Sequence, residues 1–186
     1  MNGNIRVITV FSGSAAGNSA AYTHAARSLG EWLARSQIKL VYGGGGIGLM
    51  GVLARAAADA DGEVEAIIPG FLETPDVMRD APACPHIQTE TLHDRMQMMA
   101  ERADAFVVLP GGIGTIAEFV DILTWKQLGR HAKPIIILDT DGYWTPLGDL
   151  LTHIVAAGFS HGALEKMYCI VRAVDEIPAA LEAQMD

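Results

Sequence analysis

The side chains with the clearest capacity for chemistry sit in two short stretches. One is Leu109–Phe119, LPGGIGTIAEF, where Gly111, Gly112 and Gly114 precede Thr115 and then Glu118. The other is Thr91–Asp104, TLHDRMQMMAERAD, which carries His93, Asp94, Arg95 and Met96. Glycines let backbone approach a ligand closely, and the first amides of a helix are free donors for an anion. A carboxylate at Glu118 would then stand at the mouth of a phosphate-holding pocket. A purely local role fits the same letters: Thr115-x-x-Glu118 is a capping box, with Glu118 folded back on its own helix start. Asp121 lies one helical turn on, and reads as a second pocket carboxylate or as solvated helix surface. The planar fork of Arg95 suits a phosphate or a base; it also suits a surface ion pair with Asp94 or Glu101. Ser12, Ser14 and Asn18 are placed to touch phosphate or ribose hydroxyls, or simply to shape a turn and cap a helix.

The glycines recur where a sheet would need them. FSGSAAGNS (Phe11–Ser19) and VYGGGGIGLMG (Val41–Gly51, including Gly44 and Gly45) each follow an apolar run, as does the stretch ending in Glu118. Ligands of open α/β sheets bind beyond the carboxyl ends of strands. Three glycine turns in one such sheet point to a nucleotide or phosphate ligand. The dinucleotide pattern is matched at Gly43-x-Gly45-x-x-Gly48, Gly46-x-Gly48-x-x-Gly51 and, loosely, Gly112-x-Gly114-x-x-Ala117. Its acidic partner is missing, because the next strand runs out at Ile68 into Pro69-Gly70. No G-x-x-x-x-G-K-[ST] occurs, so a mononucleotide or sugar phosphate fits better than NAD or ATP. Other chemistries lack support. There is no G-x-S-x-G elbow and no metal-ligand spacing. The four lysines, Lys39, Lys126, Lys133 and Lys166, all lie outside the glycine turns, which disfavours a Schiff base. Cys84 and Cys169 read as ordinary thiols.

Seven apolar runs supply the strands that must carry these turns: Ile5–Phe11, Ile38–Tyr42, Val64–Ile68, Ile87–Glu90, Phe106–Leu109, Ile135–Leu138 and Met167–Val171. Most are continuous rather than alternating, as in parallel strands covered on both faces. Helices are expected over Asn18–Ser36, Ile47–Asp61, Leu92–Arg102, Thr115–Leu128, Leu147–Ala157 and Val174–Gln184. Alternating elements predict an α/β doubly wound parallel sheet of about seven strands, in a single domain over 1–186. Pro69–Pro85 reads as an irregular loop, either bordering a pocket or plain connection. A net charge of −9 disfavours nucleic acid and anionic membrane as partners. No segment reaches the ~20 apolar residues of a membrane span, and the chain reads as cytoplasmic. Trp125, Leu128 and the Leu147–Ala157 helix offer an apolar face, for a second copy or for the monomer's own core.

GGGGIGLMG (Gly43–Gly51) and PGGIGTIAE (Pro110–Glu118) together resemble the paired signatures of the Lonely Guy (LOG) family, the cytokinin riboside 5′-monophosphate phosphoribohydrolases. These are also often labelled lysine decarboxylases, a label that this lysine-poor chain does not support. The similarity extends to VFSGSAAGN, LHDR and TWKQLGRHAKPIIILDTDGYW. The resemblance implies a Rossmann-like fold, a homodimer, no cofactor, and hydrolysis of a nucleoside 5′-monophosphate to free base and ribose 5-phosphate. Family members can also cleave AMP. The catalytic pair falls on Arg95 and Glu118, and the phosphate loop on Gly111, Gly112, Gly114 and Thr115. Ser14, Gly44, Gly45, Met96 and Asp121 complete the expected substrate-binding set. Met96 stands where the family usually has lysine, and Ala117 where it often has glutamate, which bears on substrate preference. The alternative function is a non-catalytic carrier of a nucleotide or molybdopterin-type cofactor.

Overall fold

The seven apolar runs pair side by side, all parallel, in one sheet. The computed structural model describes residues 5–160 and 164–185; residues 1–4, 161–163 and 186 lie outside the described residues. The strands are β1 Val7–Phe11, β2 Lys39–Tyr42, β3 Val64–Pro69, β4 His86–Thr89, β5 Ala105–Val108, β6 Ile135–Leu138 and β7 Cys169–Val171, and they lie in the order β4-β3-β2-β1-β5-β6-β7. The helices are α1 Ala20–Arg35, α2 Gly48–Asp59, α3 Pro75–Met78, α4 Leu92–Arg102, α5 Ile113–Gln127, α6 Thr145–Ala156 and α7 Ile177–Ala183.

The runs are continuous because both sheet faces are buried. Successive residues feed opposite layers: Val107, Ile136 and Leu138 pack with α1, α2 and α7. Phe106, Val108, Ile135 and Ile137 pack with α4, α5 and α6. Each such apolar side chain contributes about 1.5–3 kcal/mol by leaving water. The central strand β1 lies between β2 and β5. The chain therefore winds outward to β4, then returns across β1 to start the other half. That reversal opens a crevice at the carboxyl end of β1, where an open α/β sheet binds ligands.

Several boundaries differ from the sequence reading for identifiable reasons. β1 begins at Val7 rather than Ile5, and the amides of Arg6 and Val7 both donate to Asp104 Oδ2 at its start. The irregular Pro69–Pro85 segment contains α3, capped by Thr74 with proline in its first turn. Val174–Glu176 is a separate 3₁₀ turn before α7. α5 starts at Ile113, two residues before the expected Thr115, with Gly112 at its N-cap. No helix among the described residues is long and apolar enough to cross a membrane.

At the amino end of the sheet, Glu65 is buried between two cations. It accepts from Lys39, and from Arg102 Nε at 2.7 Å, so β2, β3 and the end of α4 are tied together. Burial pushes its carboxyl up, but Lys39 and Arg102 together outweigh that and hold it below the ordinary value. This leaves the opposite, carboxyl end of the sheet to the glycine turns.

Candidate active site

The crevice beyond β1 is a cleft of ≈ 470 Å³. Arg95 enters it from the first turns of α4 and Glu118 from α5, and Arg95 Nη2 donates to Glu118 Oε1. Both side chains are largely buried, at 12% and 18% exposure. Burial pushes the Glu118 carboxyl up to about 7; Arg95 pulls it down only in part, and nearby Asp121 adds a further upward push. Two helices presenting one residue each thus build a buried ion pair whose acid titrates near neutrality.

Glu118 does not cap its own helix. Because α5 begins at Ile113, Thr115 is the third helical residue and Glu118 lies beyond the first turn. Thr115 is itself buried, at 3% exposure. It packs against Gly111, where an added Cβ would sit 2.1 Å from Thr115 Oγ1. A capping box does exist, but on α4: Asp94 N donates to Thr91 Oγ1 at 3.0 Å and Thr91 N to Asp94 Oδ2 at 3.2 Å. That occupies Asp94 and leaves Arg95 for Glu118, not for a surface pair with Asp94 or Glu101.

No side chain caps α5. Its amino end is formed by Gly112, Ile113, Gly114 and Thr115, all lining the cleft. A Cβ on Gly112 or Gly114 would meet nothing within 4 Å. These glycines answer no crowding inside the protein; they leave free space on the cleft side of a helix start, where amides and dipole favour an anion.

The remaining expected residues divide. Ser14, Gly45, Met96 and Asp121 line the cleft, with Met96 buried at its floor and Asp121 exposed at its edge. Gly44 and Gly111 are not among the lining residues. Gly44 turns the chain at φ +84 against Ile68, and Gly111 is wedged between Thr115 and the Gly13 amide. The carbonyl of Gly111 accepts from Tyr143 Oη at 2.6 Å, which steadies the turn from outside. His93 faces a neighbouring groove of ≈ 500 Å³ together with Trp125, Arg130 and Lys133. The cleft has no lysine among its described lining residues. Among the described residues no group of three His, Cys, Asp or Glu side chains converges to hold a metal ion.

Three further features complete the cleft, of which the sequence points only to the first. Ser12, at the end of β1, lines the cleft at 6% exposure with a hydroxyl that has no partner among the described residues. Gly43 lies against the Arg95 guanidinium, since a Cβ there would be 2.5 Å from Nη2. Met50, Ile68, Leu72 and Val77 form an apolar wall. The signal for Ser12 was its place in the first glycine turn.

A family model described as "possible lysine decarboxylase" matches residues 50–181. A cytokinin riboside 5′-monophosphate phosphoribohydrolase of Rhodococcoides fascians is 37% identical over 177 residues, covering 95% of this chain and 89% of the relative. The chain belongs to the LOG family. An Arabidopsis thaliana protein of the same enzyme name is 40% identical over 154 residues, covering 83% of this chain and 72% of its own. The fold is also that of the molybdenum cofactor carrier protein of Chlamydomonas reinhardtii (TM-score 0.71, 98% and 99% of the two chains covered). At 21% identity that likeness concerns the fold alone. The motifs that carry the LOG resemblance, Gly43–Gly51 and Pro110–Glu118, form two of the turns around this cleft.

Proposed function

We propose that this LOG family member is a nucleoside 5′-monophosphate phosphoribohydrolase, acting on cytokinin riboside 5′-monophosphate, AMP or both, as a cytoplasmic homodimer. The observation that carries the reading is the buried Arg95–Glu118 pair set in one cleft with an uncapped, glycine-opened helix start. The 5′-phosphate binds the amides of Gly112, Gly114 and Thr115, and Ser14, Gly45, Met96 and Asp121 contribute to the walls. The C1′–N bond breaks with its electron pair leaving on the base, which takes up a proton. Water adds to C1′ and loses a proton. Positive charge develops at C1′ as the bond opens, and the Glu118 carboxylate stabilises it more in the transition state than in the ground state. Arg95 assists the departing base or balances the phosphate. The exposed apolar side chains of Val120 on α5, Leu128 at its C-cap and Leu150 on α6 support assembly of two copies.

The acid–base state of Glu118 gives a direct test. The carboxylate must be ionised to stabilise a cation, and its pKa lies near 7. The logarithm of kcat/KM is therefore expected to climb about one unit per pH unit below that value and to level off above it. The second ionisation of the substrate phosphate falls lower, at about 6. A profile already flat between pH 6 and 8 would contradict the role given to Glu118.

A further inference from the structure

The apolar wall formed by Leu72 and Val77 belongs to a strap, Gly70–Ala81, that has little core of its own. Neither its 3₁₀ turn nor α3 contains a fully buried side chain. Polar contacts at its two ends hold it in place. At one end Glu73 accepts from Gln88 Nε2 at 2.8 Å and lies 3.3 Å from His86 Nε2, both on β4. At the other end, everything converges on the Gly46 peptide of the second glycine turn.

Gly46 N donates to Val77 O at 2.7 Å. Arg55, two turns into α2, reaches across and donates from Nη1 to Gly46 O at 2.7 Å and to Asp80 O at 2.8 Å. The fit is tight on each side. A Cβ on Gly46 would lie 2.1 Å from Arg79 O, and one on Gly51 would lie 1.9 Å from Gly46 O and 2.9 Å from Arg55 Nη1. Arg55 has no carboxylate partner among the described residues; its charge is spent on main-chain carbonyls. Charge-assisted bonds of this type are about twice as strong as neutral ones.

We propose that Arg55 is a positioning residue, whose guanidinium clasps the strap to the glycine turn and so sets the Leu72–Val77 wall against the bound nucleotide. Gly45 links the two: it lines the cleft, and a Cβ on it would sit 3.8 Å from Val77 Cγ1. Loosening the clasp shifts a wall of the site without touching Arg95, Glu118 or the α5 amides. The consequence belongs to binding rather than to bond cleavage. The inference rests on the nucleotide reading for its ligand, and on the strap geometry for the rest.

The test uses Arg55→Met, which keeps the apolar stem and removes the donors, and Arg55→Lys, which restores a cation. Amide hydrogen exchange and AMP kinetics are measured on the full chain. In Arg55→Met, exchange at Gly46 and residues 77–81 accelerates while α4 and α5 stay protected. KM for AMP rises roughly tenfold with kcat within about twofold, and Arg55→Lys recovers part of both. Unchanged exchange at Gly46, acceleration spread evenly over α4 and α5, or a KM equal to wild type would each overturn the proposal. If the unmodified chain cleaves no nucleotide, the proposed function fails by itself. The exchange pattern, with AMP affinity read by calorimetry, then decides the clasp.

Discussion

Glu118→Gln is expected to lower kcat by roughly 10²-fold or more while leaving the fold intact. The substitution keeps the side-chain volume and leaves an amide oxygen able to accept from Arg95 Nη2. What it removes is the negative charge. A neutral amide stabilises developing positive charge at C1′ far less than does a carboxylate that is itself only 18% exposed. The effect should therefore fall on turnover, with KM for AMP moving less, because the proposed phosphate site is the amino end of α5. Helix α5 begins five residues before Glu118 and does not use it as a cap, so thermal melting should stay close to wild type. Steady-state kinetics and a melting curve on the same preparation check both halves. Turnover near the wild-type rate would remove Glu118 from the chemistry.

The second large effect separates glycines that build the fold from glycines that make room for a ligand. Gly48 has φ +60, and a Cβ there would lie 2.3 Å from the Ser14 carbonyl carbon. Gly48→Ala combines left-handed strain of about 1–2 kcal/mol with overpacking of about 1–3 kcal/mol against rigid backbone. A drop in Tm on the order of 10 °C is expected. Gly114 is the opposite case. A Cβ on it meets nothing within 4 Å, and alanine is the better helix former by about 1 kcal/mol. Gly114→Ala should melt at or slightly above the wild-type temperature, yet its methyl projects where the phosphate is to sit. KM for AMP should rise by about tenfold or more. If Gly114→Ala bound AMP normally, the amino end of α5 would not be the phosphate cradle.

The sheet was readable because parallel strands covered on both faces must be apolar at consecutive positions, and β5 and β6 are apolar throughout. The start of α5 was not. Gly112 and Gly114 are poor choices for a helix start by propensity, so the pattern pointed to Thr115 instead. On the proposed reading, a need for bare backbone at the phosphate site overrides local preference there, as functional sites commonly do. The capping-box alternative for Thr115-x-x-Glu118 fails for a related reason. Thr91-x-x-Asp94 and Thr115-x-x-Glu118 carry similar signals, and only the true helix start distinguishes them. The Arg95–Glu118 contact joins residues 23 apart on two helices, and no spacing rule brings them together. The family resemblance singles out the two residues as a catalytic pair, and only the structure shows that they touch. Arg55 was invisible from sequence because both its partners are carbonyl oxygens, one of them in a segment that read as loop.

The most direct test of the whole reading is product analysis. The purified protein is incubated with AMP and, separately, with isopentenyladenosine 5′-monophosphate, and the mixtures are resolved chromatographically. A phosphoribohydrolase releases free adenine or isopentenyladenine with equal amounts of ribose 5-phosphate, over many turnovers, and the ratio of the two rates ranks the substrates. Recovery of both nucleotides intact from folded protein, whether free or bound one per site as a carrier would hold them, would contradict it.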